Sequence, residues 1–219
     1  THVRVPHPRY LIDHAGIDAA FAATLACSGL TAYSALKKVA PATEQAPLVI
    51  IGAGGVGLAA VALAKALHGL GPIVVDIDPA KRQAALGAGA SRVVDPAEAE
   101  AAKTLARSSA EGVSAVLDFV GSTRTFEFAN AVVGKGGKIL IVGLFGGSAS
   151  IQLPLIPMRA ISIGGSYVGS LAELRELVAL AQQGVLPSLP LSSRPLGDVQ
   201  TVLDELRAGK VTGRAILQS

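Results

Sequence analysis

Residues 48–68 read LVIIGAGGVGLAAVALAKALH: a β-branched run, then glycine at four of six positions, then an Ala/Leu run. No other feature constrains the chain as much. From Gln45 to Ala64 the sequence carries no charge, and twenty such residues are enough to span a bilayer. A spanning helix would have to pass through Gly52, Gly54, Gly55 and Gly57, each costing about 1 kcal/mol relative to Ala in a helix interior. A buried strand, a tight turn and a buried helix fit the same residues without that cost. The expectation is therefore a strand–turn–helix unit inside a folded domain, with no membrane association.

The same rhythm continues downstream. Leu48–Ile51, Ile73–Asp76, Arg92–Val94, Ala115–Phe119 and Ile139–Val142 read as strands, separated by helical stretches Val56–His68, Pro79–Leu86, Pro96–Arg107 and Thr123–Val133. Pro79 and Pro96 follow Asp78 and Asp95, and an acid before a proline predicts an N-cap followed by the first helical position. Strands alternating with helices require parallel pairing through crossovers. The strands are nearly all apolar, not alternating, as expected when both sheet faces are covered. The fold class is a doubly wound α/β domain. Outside it the sequence predicts an extended Val3–Val5, helices over Asp18–Ala26 and Tyr33–Val39, an extended Ile161–Val168, a helix over Leu171–Gln182, an extended Leu189–Ser193, a helix over Val199–Ala208 and a strand-like Arg214–Leu217. These flanks have no core of their own.

Composition removes several function classes. One cysteine in 219 residues excludes a disulfide framework and any zinc site built wholly from this chain's thiolates. Nineteen basic residues against sixteen acidic ones give only +3, without a cationic cluster, and Trp is absent. Little is left for nucleic-acid binding by charge or by stacking. The chain starts at Thr1, and His2–Arg9 lacks the apolar core of a signal peptide.

The glycines carry the chemistry. Gly52-Ala53-Gly54-Gly55-Val56-Gly57 matches G-x-G-x-x-G between a strand and a helix, the context that gives the motif meaning. Gly52 allows the tight turn, Gly54 lets backbone approach a pyrophosphate, and Gly57 lets helix and strand pack closely. The helix N-terminus adds free N–H groups and partial positive charge. Asp76 ends the next strand about 20 residues on, where a carboxylate accepts hydrogen bonds from a ribose. It would repel a 2′-phosphate by roughly 4 kcal/mol at ~4 Å and an effective dielectric near 20, which predicts NAD over NADP. Asp78 is the rival acid, on the following turn. Without further context, Cys27 between Ala and Ser-Gly reads as a small buried hydrophobe.

Several segments together resemble the zinc-dependent medium-chain alcohol dehydrogenase family: ACSGLTAYSALK (26–37), the glycine turn and its helix (52–69), VDID (75–78) with Lys81 behind it, LGA (86–88), DFVG (118–121), GGKILIVG (136–143), GSYVG (165–169) and AGKVTGRAIL (208–217). The resemblance covers essentially the whole chain. It implies a six-stranded Rossmann sheet over residues 28–169, with remnants of a GroES-like catalytic domain at 1–27 and 170–219. The family's GHE motif and structural zinc lobe are missing. Cys27 resembles the third ligand of a catalytic zinc, with a second Cys and a His expected upstream, so this chain alone is expected to be metal-free. Thr31 and Val56 resemble nicotinamide contacts, and Lys81 a second ribose contact. Arg214 resembles a pyrophosphate ligand. Val120, Gly121, Gly143 and Leu144 sit at the carboxyl ends of strands where such ligands lie. With Gly52, Gly54, Gly55, Gly57 and Asp76 they complete the expected cofactor site.

No general base is expected. His2, His7, His14 and His68 lack metal-ligand spacing and any Ser or Asp arranged for nucleophilic chemistry. What the resemblance implies is reversible alcohol oxidation with NAD and zinc in an intact protein. A fragment inactive by itself, a small alcohol or aldehyde as substrate, a cytoplasmic location and a homodimer or homotetramer paired through the Ile161–Val168 edge go with it. The alternatives are a zinc-free quinone or enoyl reductase of the same superfamily, or a non-catalytic NAD-sensing module.

Overall fold

The computed structural model describes residues 3–43, 47–108, 112–187 and 190–218. The chain enters through α1 (Ala19–Thr24), whose N-cap Asp18 accepts from the Phe21 N–H at 2.9 Å. A π-helical turn, Leu25–Gly29, leads directly into α2 (Leu30–Thr43). The two helices read from sequence are therefore one continuous helical stretch. Pro41 does not end it, and Val3–Val5 belongs to no strand. A Cβ on Gly29 would stand 3.2 Å from Leu177, so glycine lets the turn press against a later helix.

The alternating layer follows in order: β1 (Leu48–Ile51), α3 (Gly55–His68), β2 (Ile73–Val75), α4 (Pro79–Gly87), β3 (Arg92–Val94), α5 (Ala101–Ala106), β4 (Val113–Asp118), α6 (Thr123–Val132), β5 (Val133–Ile141), α7 (Leu155–Arg159) and β6 (Ser162–Gly165). These six strands form one parallel sheet in the order β3-β2-β1-β4-β5-β6. That is the doubly wound arrangement the sequence implies, with the order reversing between β1 and β4. Last come α8 (Leu171–Gln182), β7 (Leu191–Pro195), α9 (Val199–Arg207) and β8 (Arg214–Gln218). β7 and β8 pair in parallel as a separate two-stranded sheet. Of the expected extended Leu189–Ser193, Leu189 lies outside the described residues.

Burial explains why β1 is apolar at every position. Leu48 and Ile50 join Leu117, Leu36 and Leu58 on the face covered by α2, α3 and α8. Val49 and Ile51 join Val116, Leu105 and Phe126 on the face covered by α5 and α6. Each fully buried aliphatic side chain contributes about 1.5–3 kcal/mol, and both faces collect them. The helical stretch Ala19–Val39 is long and apolar enough to cross a membrane by length and composition, but 56% of that window is buried inside the fold. Gln45–Ala64 splits as expected, with its described part forming β1, the glycine turn and most of α3.

One capping expectation is overturned. Asp78 caps α4, accepting from the Ala80 and Lys81 N–H groups. Asp95 caps nothing, and the expected helix Pro96–Arg107 shrinks to α5, which begins at Ala101 after Glu100 in the left-handed region at φ 64°. The Asp95 carboxylate is already engaged: Oδ1 accepts from the Ala97 N–H at 2.9 Å, and Oδ2 lies 3.0 Å from Arg82.

Candidate functional site

The glycine turn joins β1 to α3 at the carboxyl edge of the sheet. Gly52 has φ +90°, and its N–H donates to the Val75 carbonyl at 2.8 Å, linking the turn to β2. A Cβ on Gly57 would run into the Gly52 carbonyl oxygen, so the helix can stand on the turn only without a side chain there. Gly54 is the N-cap of α3 with no side-chain cap, and a Cβ on it would meet nothing. Uncapped first-turn N–H groups of this kind are able to cradle an anion. Arg214 lies beside it. A Cβ on Gly55 would stand 2.6 Å from its Cδ and 2.6 Å from the Gly213 carbonyl oxygen.

Asp76 fixes the geometry next to the cradle. Its Oδ2 accepts from the Ala53 N–H at 2.7 Å, inside the glycine turn, and its Oδ1 accepts from the Asp78 N–H at 2.8 Å. Each oxygen keeps lone-pair capacity for a further donor. The half-buried carboxylate faces a cleft of about 670 Å³ whose walls include Gly52, Ile77, Ala97, Val120 and Phe128. This is a mostly apolar slot with one acid at its edge, and its volume lies in the range of small-molecule sites.

Of the residues expected to touch cofactor, Gly52, Asp76 and Val120 line this cleft, whereas Gly54, Gly55, Val56 and Gly57 build the adjoining turn and helix start. Thr31, Lys81, Gly121, Gly143, Leu144 and Arg214 are not in its walls. Gly121 and Gly143 have a packing reason for being glycine. A Cβ on Gly121, at φ +72°, would strike the Gly143 carbonyl, and one on Gly143 would strike the Val120 backbone. Leu144 is 79% exposed. Lys81 sits in the first turn of α4, with its N–H on Asp78.

The sequence reading missed Asp118. This wholly buried carboxylate at the end of β4 accepts from the Val120 and Gly121 N–H groups, both at 2.9 Å and both on Oδ1. Its Oδ2 is buried without a partner among the described residues. The available signal was an acid closing an otherwise apolar strand. Arg124, Phe128 and Phe145 also line the cleft and gave no signal beyond that of ordinary helix or loop residues.

Displaced titrations lie elsewhere, where α8 meets α2. Burial raises the Tyr33 phenol, reinforced by its hydrogen bond to Glu176. The hydrogen bond between Lys37 and Glu176 raises the lysine and lowers the glutamate. This cluster staples the two helices together.

Cys27 is exposed on the π-helical turn, which overturns its reading as a buried hydrophobe. Among the described residues no three His, Cys, Asp or Glu side chains converge as metal ligands. His7 accepts from the Arg9 N–H as a local cap, His14 and His68 are exposed, and His2 lies outside the described residues.

A family model described as zinc-binding dehydrogenase matches residues 55–183, more than half of the chain. The chain belongs to the zinc-binding dehydrogenase family. An NAD-dependent alcohol dehydrogenase of Sulfurisphaera tokodaii is 34% identical over 99% of this chain and 62% of its own length. Among solved structures, the alcohol dehydrogenase of Aeropyrum pernix superposes with a TM-score of 0.82 at 35% identity, over 91% of this chain and 58% of that one. The acetophenone reductase of Geotrichum candidum, solved in complex with NAD, gives 0.79 at 27% identity, over 94% of this chain and 57% of that one. This zinc-binding dehydrogenase chain thus spans somewhat under two thirds of such relatives. The single cysteine does not by itself make a metal site.

Proposed function

We propose that this chain is the cofactor-binding part of an NAD-dependent alcohol dehydrogenase, interconverting an alcohol and its aldehyde or ketone by hydride transfer. The observation that carries the reading is the coupling of Asp76 to the glycine turn: one carboxylate holds the Ala53 N–H and stands at the edge of the cleft. In this reading the first turn of α3 takes the pyrophosphate, and Arg214 beside Gly55 adds a cation. The remaining lone pairs of Asp76 take the ribose hydroxyls, while Val120 and Ile77 offer apolar walls to the base. Bound NAD supplies the hydride acceptor. The chain's own residues orient it and exclude competitors, since the Asp76 charge opposes a 2′-phosphate.

Thr31 and Val56 on the nicotinamide side, Lys81 at the ribose, and Cys27 as one thiolate of a metal site belong to the same proposal. So does the assignment of residues 1–27 and 170–219 to a second domain. β6, at the edge of the sheet, offers a strand for two-fold pairing, which light scattering tests directly. The cofactor assignment is tested by titrating the 219-residue chain with NADH and NADPH. NADH is expected to bind more tightly, and equal affinities would remove the assignment. Alcohol oxidation by this chain alone is expected to be absent, and measurable turnover would overturn its reading as an incomplete enzyme.

A further inference from the structure

Behind the wall of the cleft lies an ion pair that the proposed function does not use. Arg82, on α4, donates through Nη1 to the Asp76 backbone carbonyl at 2.7 Å and stands 3.0 Å from Asp95 Oδ2, at the end of β3. The two side chains are only 18% and 23% exposed. The other Asp95 oxygen accepts from the N–H of Ala97, a residue of the cleft wall. One network therefore joins the ribose-side acid, a largely buried guanidinium, a second carboxylate and a further residue of the cleft wall.

We propose that Asp95 is a specificity-determining residue: it neutralises Arg82 and so keeps the sugar end of the cleft closed to 2′-phosphorylated dinucleotides. The inference rests on the NAD reading above. A guanidinium touching the Asp76 backbone is well placed to attract a phosphate on the neighbouring ribose hydroxyl. Paired with Asp95 it contributes no net charge, so the sugar meets Asp76 and Lys81 but no unneutralised guanidinium. Two other cations are nearby, Lys81 on the same helix and Arg124 on the far wall. Arg124 is exposed and has no hydrogen-bond or ionic partner among the described residues, so solvent and salt screen it. Arg82 is largely out of water, where charge acts with less screening. Selectivity is then set by withholding an attraction as well as by the repulsion from Asp76.

The test is NADH and NADPH titration of the 219-residue chain and four variants. Asp95→Asn keeps an acceptor for the Ala97 N–H but removes the charge. It is expected to raise NADPH affinity about tenfold, and to change NADH affinity less than about threefold. Asp95→Glu retains the carboxylate and is expected to retain the parent ratio. Adding Arg82→Gln to Asp95→Asn is expected to erase the gain. Arg82→Gln alone, which exposes an unneutralised Asp95, is expected to shift preference further toward NADH, so the idea stays testable if Asp95→Asn folds poorly. An unchanged NADPH:NADH ratio in a folded Asp95→Asn that still binds NADH would overturn the role of the pair and leave the cofactor assignment standing. An equal fall for both dinucleotides would reduce the pair to a staple between α4 and β3. A parent chain that binds neither would remove the cofactor assignment itself, and this inference with it.

Discussion

Two aspartates close the strands on either side of β1 and do opposite work. Asp76, after β2, spreads two backbone N–H donors over its two oxygens and stays half-buried at the mouth of the cleft. Asp118, the last residue of β4, gathers two N–H donors on one oxygen, is wholly buried, and leaves its second oxygen without a partner among the described residues. Both pin a turn beside the proposed dinucleotide site. Only Asp76 keeps acceptor capacity that a ligand can reach, so a strand-ending acid is a binding group or an architectural one according to what its second oxygen meets. The largest expected effect follows from this difference. Asp118→Ala strips the Val120 and Gly121 N–H groups of their acceptor in a site closed to water, at about 1 kcal/mol each. Loss of the orphaned oxygen offsets a little of that, and the small void left behind adds to it. A destabilisation of about 2 kcal/mol is expected, read from urea midpoints at constant m-value. A loss no larger than that of Asp76→Ala would erase the distinction.

Asp76→Ala is expected to act on ligand more than on stability. The carboxylate stands half-buried at the cleft, where water can take its place between the buried Ala53 and the half-buried Asp78, so unfolding free energy should fall by less than about 1 kcal/mol. NADH affinity should drop about tenfold, equivalent to 1.4 kcal/mol, with the larger relative loss on the NADH side of the NADH:NADPH ratio. Asp118→Asn sharpens the contrast from the other direction. It keeps an oxygen for the two N–H donors and replaces a buried orphan acceptor with an amide. Its cost should therefore stay below about 1 kcal/mol, with NADH affinity unchanged within about twofold. If Asn proved as damaging as Ala, the carboxyl group itself would be the requirement, not merely an acceptor oxygen.

The sheet was legible because strands covered on both faces need apolar residues at every position, and Leu48–Ile51 and Ala115–Leu117 have them. The glycine turn was legible because it needs residues lacking Cβ at fixed offsets. The two aspartates could not be separated in that way, since burial at the end of β4 depends on α6 packing over it. The same limit accounts for Asp95. Asp78-Pro79 and Asp95-Pro96 are locally identical signals, and only the first caps a helix. Arg82, thirteen positions earlier in the chain, takes the second carboxylate for an ion pair. Cys27 is exposed on a π-helical turn whose Gly29 leaves room for Leu177, an approach between segments far apart in sequence.

A third carboxylate, remote from the cleft, marks the bottom of the same scale and supplies the smallest expected effect. Glu173 occupies the N3 position of α8 in a capping box, accepting from the Ser170 N–H at 2.7 Å while its own N–H donates to Ser170 Oγ at 3.2 Å. The backbone hydrogen bond from Ser170 is the main cause holding its pKa below the ordinary carboxylate value. Because the folded pKa is the lower of the two, the stabilisation is fully present above the unfolded value near 4.5 and is lost as pH falls through the folded value. At neutral pH the group is ionised in both states, so the pair contributes there as an ordinary surface cap, worth a few tenths of a kcal/mol once solvent screening is allowed for. Glu173→Gln should accordingly lower the unfolding midpoint slightly at pH 7 and flatten the dependence of stability on pH between about 5 and 3. Unfolding curves of the two proteins at pH 7 and at pH 3.5 check this. The gap between them should narrow at the acid end, and a gap that widened there would show that the carboxylate is not stabilised by the N–H it accepts.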